Sequence, residues 1–305
     1  MDTAPITPAR LADSVLAVPP LCRDSSLRIN VEENRKLVQF METAGVNTLL
    51  YGGNAVLYHV RLSEYEQLLQ CLAEIAGDQT LMIPSVGPAF GTMMDQLEVL
   101  RDFDFPTVMI LPQTDVSDPS GRAQGIRKFV DAYQKPVVLY LKHDRWLEPE
   151  TVGKLYSGGH ISWIKYAVVR DNPSNDDYLR EVLAHVPGDI VVSGIGEQPA
   201  IVHLDEFDMV SFTSGCVCVN PAKSMKMLRR IQASQLDDAE AIRKEFCGLE
   251  DLRNGINPIR VLHRAVELCG IAQTGPMLPM LGELSAEETT QVGQAADELR
   301  SLSVG

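Results

Sequence analysis

The sequence predicts a (β/α)8 barrel with a C-terminal helical extension, and three observations carry that prediction. Short apolar runs alternate with helix-period segments eight times in roughly 220 residues. The runs are apolar throughout rather than at alternate positions, as in a parallel sheet covered on both faces. No Gly-x-Gly-x-x-Gly follows the first run, which weighs against a doubly wound dinucleotide-binding sheet, and Gly52-Gly53 after the second run lacks that spacing. Eight strand-helix units of this kind read as a barrel.

The first strand is Val15-Leu16-Ala17-Val18, closed by Pro19-Pro20. Its helix puts Leu37, Val38, Met41 and Ala44 on one face and stops at Gly45. The second strand is Thr48–Tyr51. Ser63 and Glu66 then have capping-box spacing, ahead of a helix with Tyr65, Leu68, Leu69, Leu72 and Ile75 on one stripe. Leu81–Ile83 is the third strand, with a helix over about 93–103. Thr107–Leu111 is the fourth, and its helix turns Ile126, Phe129, Val130 and Tyr133 inward. Pro136–Leu141 is the fifth, and Pro149 opens the next helix, where its missing N–H costs nothing. Ile161–Lys165 is the sixth, followed by a helix carrying Tyr178, Leu179, Val182 and Leu183. Asp189–Ser193 and Asp208–Phe212 complete the set. Asn220-Pro221 then caps and starts a helix with Met225, Leu228 and Ile231.

After about Ser234 no strand pattern remains. Residues 1–233 form the expected barrel, and 234–305 a helical extension packed on it, with helices at about 236–252, 258–269 and 285–302. Gly270 is a stop, and Pro276 and Pro279 mark a loop.

Composition narrows the function. The net charge of -14 argues against nucleic acid as a partner, since a phosphate-binding surface needs clustered Lys and Arg. Six cysteines show no Cys-x-x-Cys spacing and no neighbouring histidines, so no metal site is expected. Cys71 and Cys269 read as core thiols, and Cys216 and Cys218 as packing residues of an extended loop. Scattered thiols fit a reducing cytoplasm. No signal pattern and no membrane-spanning apolar run is present. Nothing calls for a cofactor.

In a barrel the chemistry sits at the C-terminal ends of the strands. Those positions hold Gly52, Gly53 and Asn54, then Pro84, Ser85, Pro112, Gln113 and Thr114. They continue with Tyr140, Lys165, Ser193 and Gly194, and with Thr213 to Gly215. Lys165 ends the apolar run Ile161-Ser162-Trp163-Ile164. By itself it is a lysine that could snorkel to water. At the end of the sixth strand, next to Tyr140 at the end of the fifth, it reads as a desolvated, nucleophilic amine suited to imine formation. Tyr140 beside it is placed to shuttle the protons of carbinolamine dehydration.

These segments resemble the dihydrodipicolinate synthase / N-acetylneuraminate lyase family. Pro136-Val137-Val138-Leu139-Tyr140 with Arg145 looks like its tyrosine and arginine segment. Ile161-Ser162-Trp163-Ile164-Lys165 looks like its Schiff-base lysine segment. Ile190–Gly194 looks like its strand-seven Ser-Gly, and Phe212-Thr213-Ser214-Gly215 like its strand-eight loop. The resemblance implies a class I aldolase-type lyase whose Lys165 forms an imine with a 2-keto acid such as pyruvate or a sugar-derived keto acid. It implies a proton relay through Tyr140, a substrate contact at Thr213, and a carboxylate nest from the N–H groups of Gly53 and Asn54 next to Gly52. Arg145 is either a mouth ligand for a second carboxylate or a structural ion pair. A homo-oligomer, dimer or tetramer, is also implied.

The chain departs from the family at the strand-two loop. It reads Gly52-Gly53-Asn54-Ala55-Val56 where the family usually has threonines and a glutamate. That points away from the synthase reaction itself and toward another keto acid. Two alternatives stay open: a sugar-acid dehydratase using the same imine, and a non-catalytic keto-acid-binding protein on the same fold. His59 and His143 read as loop histidines, and Trp163 as packing.

Overall fold

Nine strand segments pair side by side, all parallel: β1 Leu16–Ala17, β2 Thr48–Leu50, β3 Leu81–Ile83, β4 Ser85–Val86, β5 Met109–Ile110, β6 Val137–Leu141, β7 Ile161–Tyr166, β8 Val191–Ser193 and β9 Ser211–Ser214. The order is β3-β2-β1-β9-β8-β7-β6-β5-β4. The two outermost segments, β3 and β4, are halves of one strand broken at Pro84, which has no N–H to give a ladder. Its lower half pairs with β2 and its upper half with β5, so the sheet closes on itself as an eight-stranded barrel. This computed structural model describes residues 1–303.

The predicted strands appear in order, with shifted ends. β7 runs one residue beyond Lys165, and β9 lies three residues later at its start than the expected 208–212 run, because Asp208 takes a left-handed turn (φ 53°) before it. Burial follows the pattern that predicted the strands: β2, β3, β8 and β9 are buried at every residue. Trp163 is fully buried in β7 and packs as expected.

Helix ends confirm most of the stop and start signals. Gly45 (φ 84°) and Gly270 (φ 64°) adopt the left-handed conformation that ends a helix, which L residues adopt only at a cost. Asn220 accepts from the Lys223 N–H at 3.2 Å, and Pro221 opens that helix. The capping box at Ser63 and Glu66 does not form. The helix there, Leu62–Ile75, starts one residue before Ser63 with Arg61 as its cap, so Ser63 is already inside the first turn. A complete capping box occurs instead at Ser285 and Glu288, opening Ala286–Ser301. The helix expected over 93–103 is Phe90–Leu100, and Cys216–Cys218 is a buried 3-10 turn rather than an extended loop. Cys71 is buried, whereas Cys269 is only half-buried. Two short helices were not foreseen: Pro8–Ala12, capped by Thr7, and Ala200–Glu206.

Three helices, Leu236–Gly255, Pro258–Leu268 and Ala286–Ser301, follow the barrel. Each is tied to it by buried polar contacts. Glu250 accepts from the Glu197 N–H at 2.9 Å, the His263 Nε2 sits 2.8 Å from the Asn54 carbonyl, and Asn220 Nδ2 donates to the Leu299 carbonyl at 2.8 Å. No described helix is long and apolar enough to cross a membrane.

Candidate active site

Lys165 and Tyr140 are direct register partners on β7 and β6, so their side chains leave the sheet on the same side. Both line a cavity of about 210 Å³ at the C-terminal mouth of the barrel. Gly52, Gly53, Asn54 and Thr213 line it too. Six of the seven site residues expected from sequence thus meet in one place. Arg145 does not. It lies in a left-handed turn (φ 48°) that carries its guanidinium over the Tyr178 ring and onto Glu181, with both carboxylate oxygens within 2.9 Å. Of the two roles considered for it, the geometry is that of the ion pair.

The Lys165 ammonium would sit in a poor place for a charge. The residue is 6% exposed, and its Nζ lies 4.6 Å from the Tyr140 ring centroid, over the face of the phenol rather than in line with its hydroxyl. Among the described residues no carboxylate pairs with it. Burial lowers its pKa from 10.5 to about 7, helped by the positive charges of Lys142 and Arg253. Half of the amine is therefore free base near neutral pH. Tyr140 shifts the other way: burial, with Tyr58 nearby, raises its pKa well above 10.0, so it keeps its proton and can donate it.

Two glycines make room for this arrangement. A Cβ on Gly194 would meet the Tyr166 carbonyl at 2.7 Å, Ala167 Cβ at 2.7 Å and Lys165 Cγ at 3.0 Å. The Gly194 backbone thus braces the lysine stem, and its N–H donates to Tyr166. A Cβ on Gly52 would lie 2.6 Å from Met109 Cε. Gly53, by contrast, faces open space. None of the hydrogen bonds among the described residues uses the N–H of Gly53 or Asn54. The Asn54 side chain is occupied elsewhere: its Nδ2 donates to the Val18 carbonyl at 2.8 Å. Of the other polar residues near the mouth, His59, Thr114 and His143 are exposed and outside the cavity lining.

Sequence reasoning missed four cavity residues of consequence. Lys142 lies two residues past Tyr140, so the strand period puts it on the same side, and that signal was present. Arg253, Asn254 and Ile259 come from the helical extension, which supplies a wall of the cavity. No local pattern marks them. Counting charges, the lining holds Lys142, Lys165 and Arg253 and no Asp, Glu or His, in a chain of net charge -14.

Behind the wall lies a buried carboxyl pair. Glu197 accepts from the hydroxyls of Ser214 at 2.8 Å and Ser224 at 2.6 Å, while Glu250 Oε2 is buried with no hydrogen-bond partner among the described residues. Burial, with the Glu197 charge beside it, pushes Glu250 far above the usual carboxylate range, so Glu250 holds the proton. Cys216 completes the cluster. Gly196 (φ 98°) passes so close that a Cβ there would strike Glu250 Oε1 at 2.0 Å.

No protein-family model matches the chain, and no curated protein matches it. Solved structures do. A dihydrodipicolinate synthase from Oceanobacillus iheyensis superposes with a TM-score of 0.84 at 20% identity, covering 97% of this chain and 98% of its own. One from Bacillus clausii gives 0.83 at 20% identity, over 95% and 98%. One from Acinetobacter baumannii, complexed with pyruvate, gives 0.81 at 16% identity, over 94% and 99%. Barrel and helical extension both lie within these matches, and the chain has the fold of the dihydrodipicolinate synthases.

Proposed function

We propose that the protein is a class I lyase that forms an imine between Lys165 and a 2-keto acid, a divergent member of the dihydrodipicolinate synthase / N-acetylneuraminate lyase family. The observation that carries this reading is the Lys165 amine: buried, without a carboxylate partner among the described residues, and brought to a pKa of about 7 at the C-terminal end of a barrel strand. The Acinetobacter baumannii synthase is complexed with pyruvate, a 2-keto acid, which agrees in chemical class.

The neutral amine attacks the C2 carbonyl and gives a carbinolamine. The Tyr140 phenol donates its proton to the carbinolamine hydroxyl, which leaves as water as the nitrogen lone pair forms the C=N bond. The unused N–H groups of Gly53 and Asn54 receive the keto acid's carboxylate, and Thr213 bounds the site. The iminium then draws electrons from the adjacent bonds. The Tyr140 phenolate takes the C4 hydroxyl proton, retro-aldol cleavage releases an aldehyde and leaves an enamine, and the phenol returns that proton to C3 before water hydrolyses the iminium back to the amine. The strand-two loop lacks the family's threonine hydroxyls, so the synthase reaction itself is not the one proposed.

The test is reductive trapping. Pyruvate with borohydride should leave one covalent adduct, mapped by mass spectrometry to Lys165 and absent from Lys165→Ala. If neither pyruvate nor a panel of sugar-derived keto acids gives an adduct, the reading is wrong. Ligand-induced stabilisation that survives Lys165→Ala would favour the non-catalytic alternative instead.

The same proposal includes a homo-oligomer in the cytoplasm. Phe90 and Val116, 45% and 98% exposed, line one apolar groove beside the mouth, a feature suited to a second copy of the chain. All six cysteines are free, which suits a reducing compartment. Light scattering on the wild type and on Val116→Lys checks the first point: a dimer or larger is expected, weakened by the substitution.

A further inference from the structure

We infer that Arg253 is the receptor for a second anionic group of the substrate, so that the preferred ligand is a dianionic 2-keto acid. The inference rests on the imine-forming site proposed above and names its substrate class.

Arg253 comes from the helix Leu236–Gly255 and is 9% exposed, yet it lines the cavity. Its guanidinium is held from behind. Nε donates to the Pro258 carbonyl at 3.2 Å, and Nη1 lies 3.9 Å from Cys216 Sγ. No carboxylate is within ion-pairing distance of it among the described residues. Among the described residues Nη2 has no hydrogen-bond acceptor, and it stands over Gly215, where a Cβ would come within 2.6 Å. A bulkier residue there would block the fork. Buried arginines are ordinarily paired, because desolvating a guanidinium is costly. This one is buried, anchored, and turned toward a cavity.

The nearby acids are arranged so as not to quench it. Glu197 is engaged by two serine hydroxyls, and burial pushes both carboxyls up from the usual range, Glu250 the further of the two. Lys142, on the opposite wall above Tyr140, adds a second positive charge to the same volume. The two anion receptors stand on different loops. The free N–H groups of Gly53 and Asn54 follow β2, whereas Arg253 covers the end of β9, with β1 between them. A monocarboxylate seated on the first leaves the second unsatisfied, and a dianion uses both. A planar guanidinium suits a bidentate carboxylate.

Two keto acids of equal chain length decide the matter: 2-oxoglutarate, a dianion, and 2-oxopentanoate, a monoanion. The readout is the concentration that half-saturates borohydride trapping on Lys165. Wild type should favour 2-oxoglutarate by roughly tenfold or more, the scale of one charge-assisted hydrogen-bonded pair. In Arg253→Gln the preference, a ratio of two half-saturating concentrations within one variant, should fall to about twofold, because the Arg253 charge that also lowers the Lys165 pKa acts on both acids alike. Equal trapping of the two acids by wild type overturns the inference. So does a preference that persists in Arg253→Gln. Circular dichroism checks the fold of that variant. Should it not fold, Arg253→Lys carries the test: exchanging the fork for a point charge should weaken the preference by roughly threefold or more, and an unchanged preference overturns it. Glutarate has no keto group and cannot form an imine. Its stabilisation of Lys165→Ala, and loss of that stabilisation in the Lys165→Ala, Arg253→Gln double variant, reports on Arg253 even if no keto acid is ever trapped. The lyase reading and the anion subsite can therefore fail separately.

Discussion

Lys165 shows how one residue's environment sets both reactivity and stability. Its pKa is about 7 in the folded chain against 10.5 as a free side chain. The amine is therefore mostly free base above about pH 7 and protonated below it, and the trapping rate should rise through that value and level off near pH 8. A rate flat from about pH 6 to 8 would contradict the assignment. The same shift has a stability sign. Between about 7 and 10.5 the unfolded chain holds this proton and the folded chain does not. Stability therefore rises with pH across that window and gains nothing below it. Lys165→Met removes the cost and should raise the unfolding free energy at neutral pH, with a ceiling on the order of 4–5 kcal/mol from the size of the shift. Urea titration at pH 7 and pH 10 tests it: the wild type should approach the variant at the higher pH. At this scale Lys165 and Tyr140 were legible because they end neighbouring apolar runs. Arg145 was legible only as an alternative, since its left-handed backbone turns it toward Glu181 and no sequence spacing specifies that turn.

At the scale of elements, the site depends on how closely β7 and β8 pack. Gly194 lets the β8 loop lie against the Lys165 stem. Gly194→Ala should push the stem aside, costing about 1–3 kcal/mol of stability from overpacking and reducing trapping at least several-fold. A variant with normal trapping would show that the stem tolerates the shift. The strands themselves were readable because parallel barrel strands are buried on both faces and so apolar throughout. The break at Pro84 was visible as a residue but not as the joint that closes the barrel, since closure depends on which neighbours each half meets. The misplaced capping box has a similar cause. Ser63 and Glu66 have the spacing, but the helix begins with Leu62, so the serine has no end to cap.

For the whole molecule, the helical extension is part of the site. It supplies Arg253, Asn254, Pro258 and Ile259 to the cavity wall, and His263 holds the Asn54 carbonyl from the far side of the strand-two loop. Burial lowers the His263 pKa to about 4, so the ring is neutral and its Nε2–H donates to that carbonyl. His263→Ala should loosen the loop, costing about 2–4 kcal/mol from the cavity and the lost hydrogen bond. It should also raise the pyruvate concentration needed for trapping, whereas unchanged trapping would mean the loop holds its N–H groups without the extension. The sequence by itself determined the barrel, the order of its strands, and the lysine and tyrosine at its mouth. Each follows from periodicity and position within a local run. Only the tertiary structure decided that the charged side chains of the lining are all basic, that Arg145 lies outside it, and that Arg253 lies inside. The place of Arg145 depends on its left-handed turn, and that of Arg253 on where a residue more than 80 positions from Lys165 comes to rest against the barrel, which no local pattern of side chains encodes.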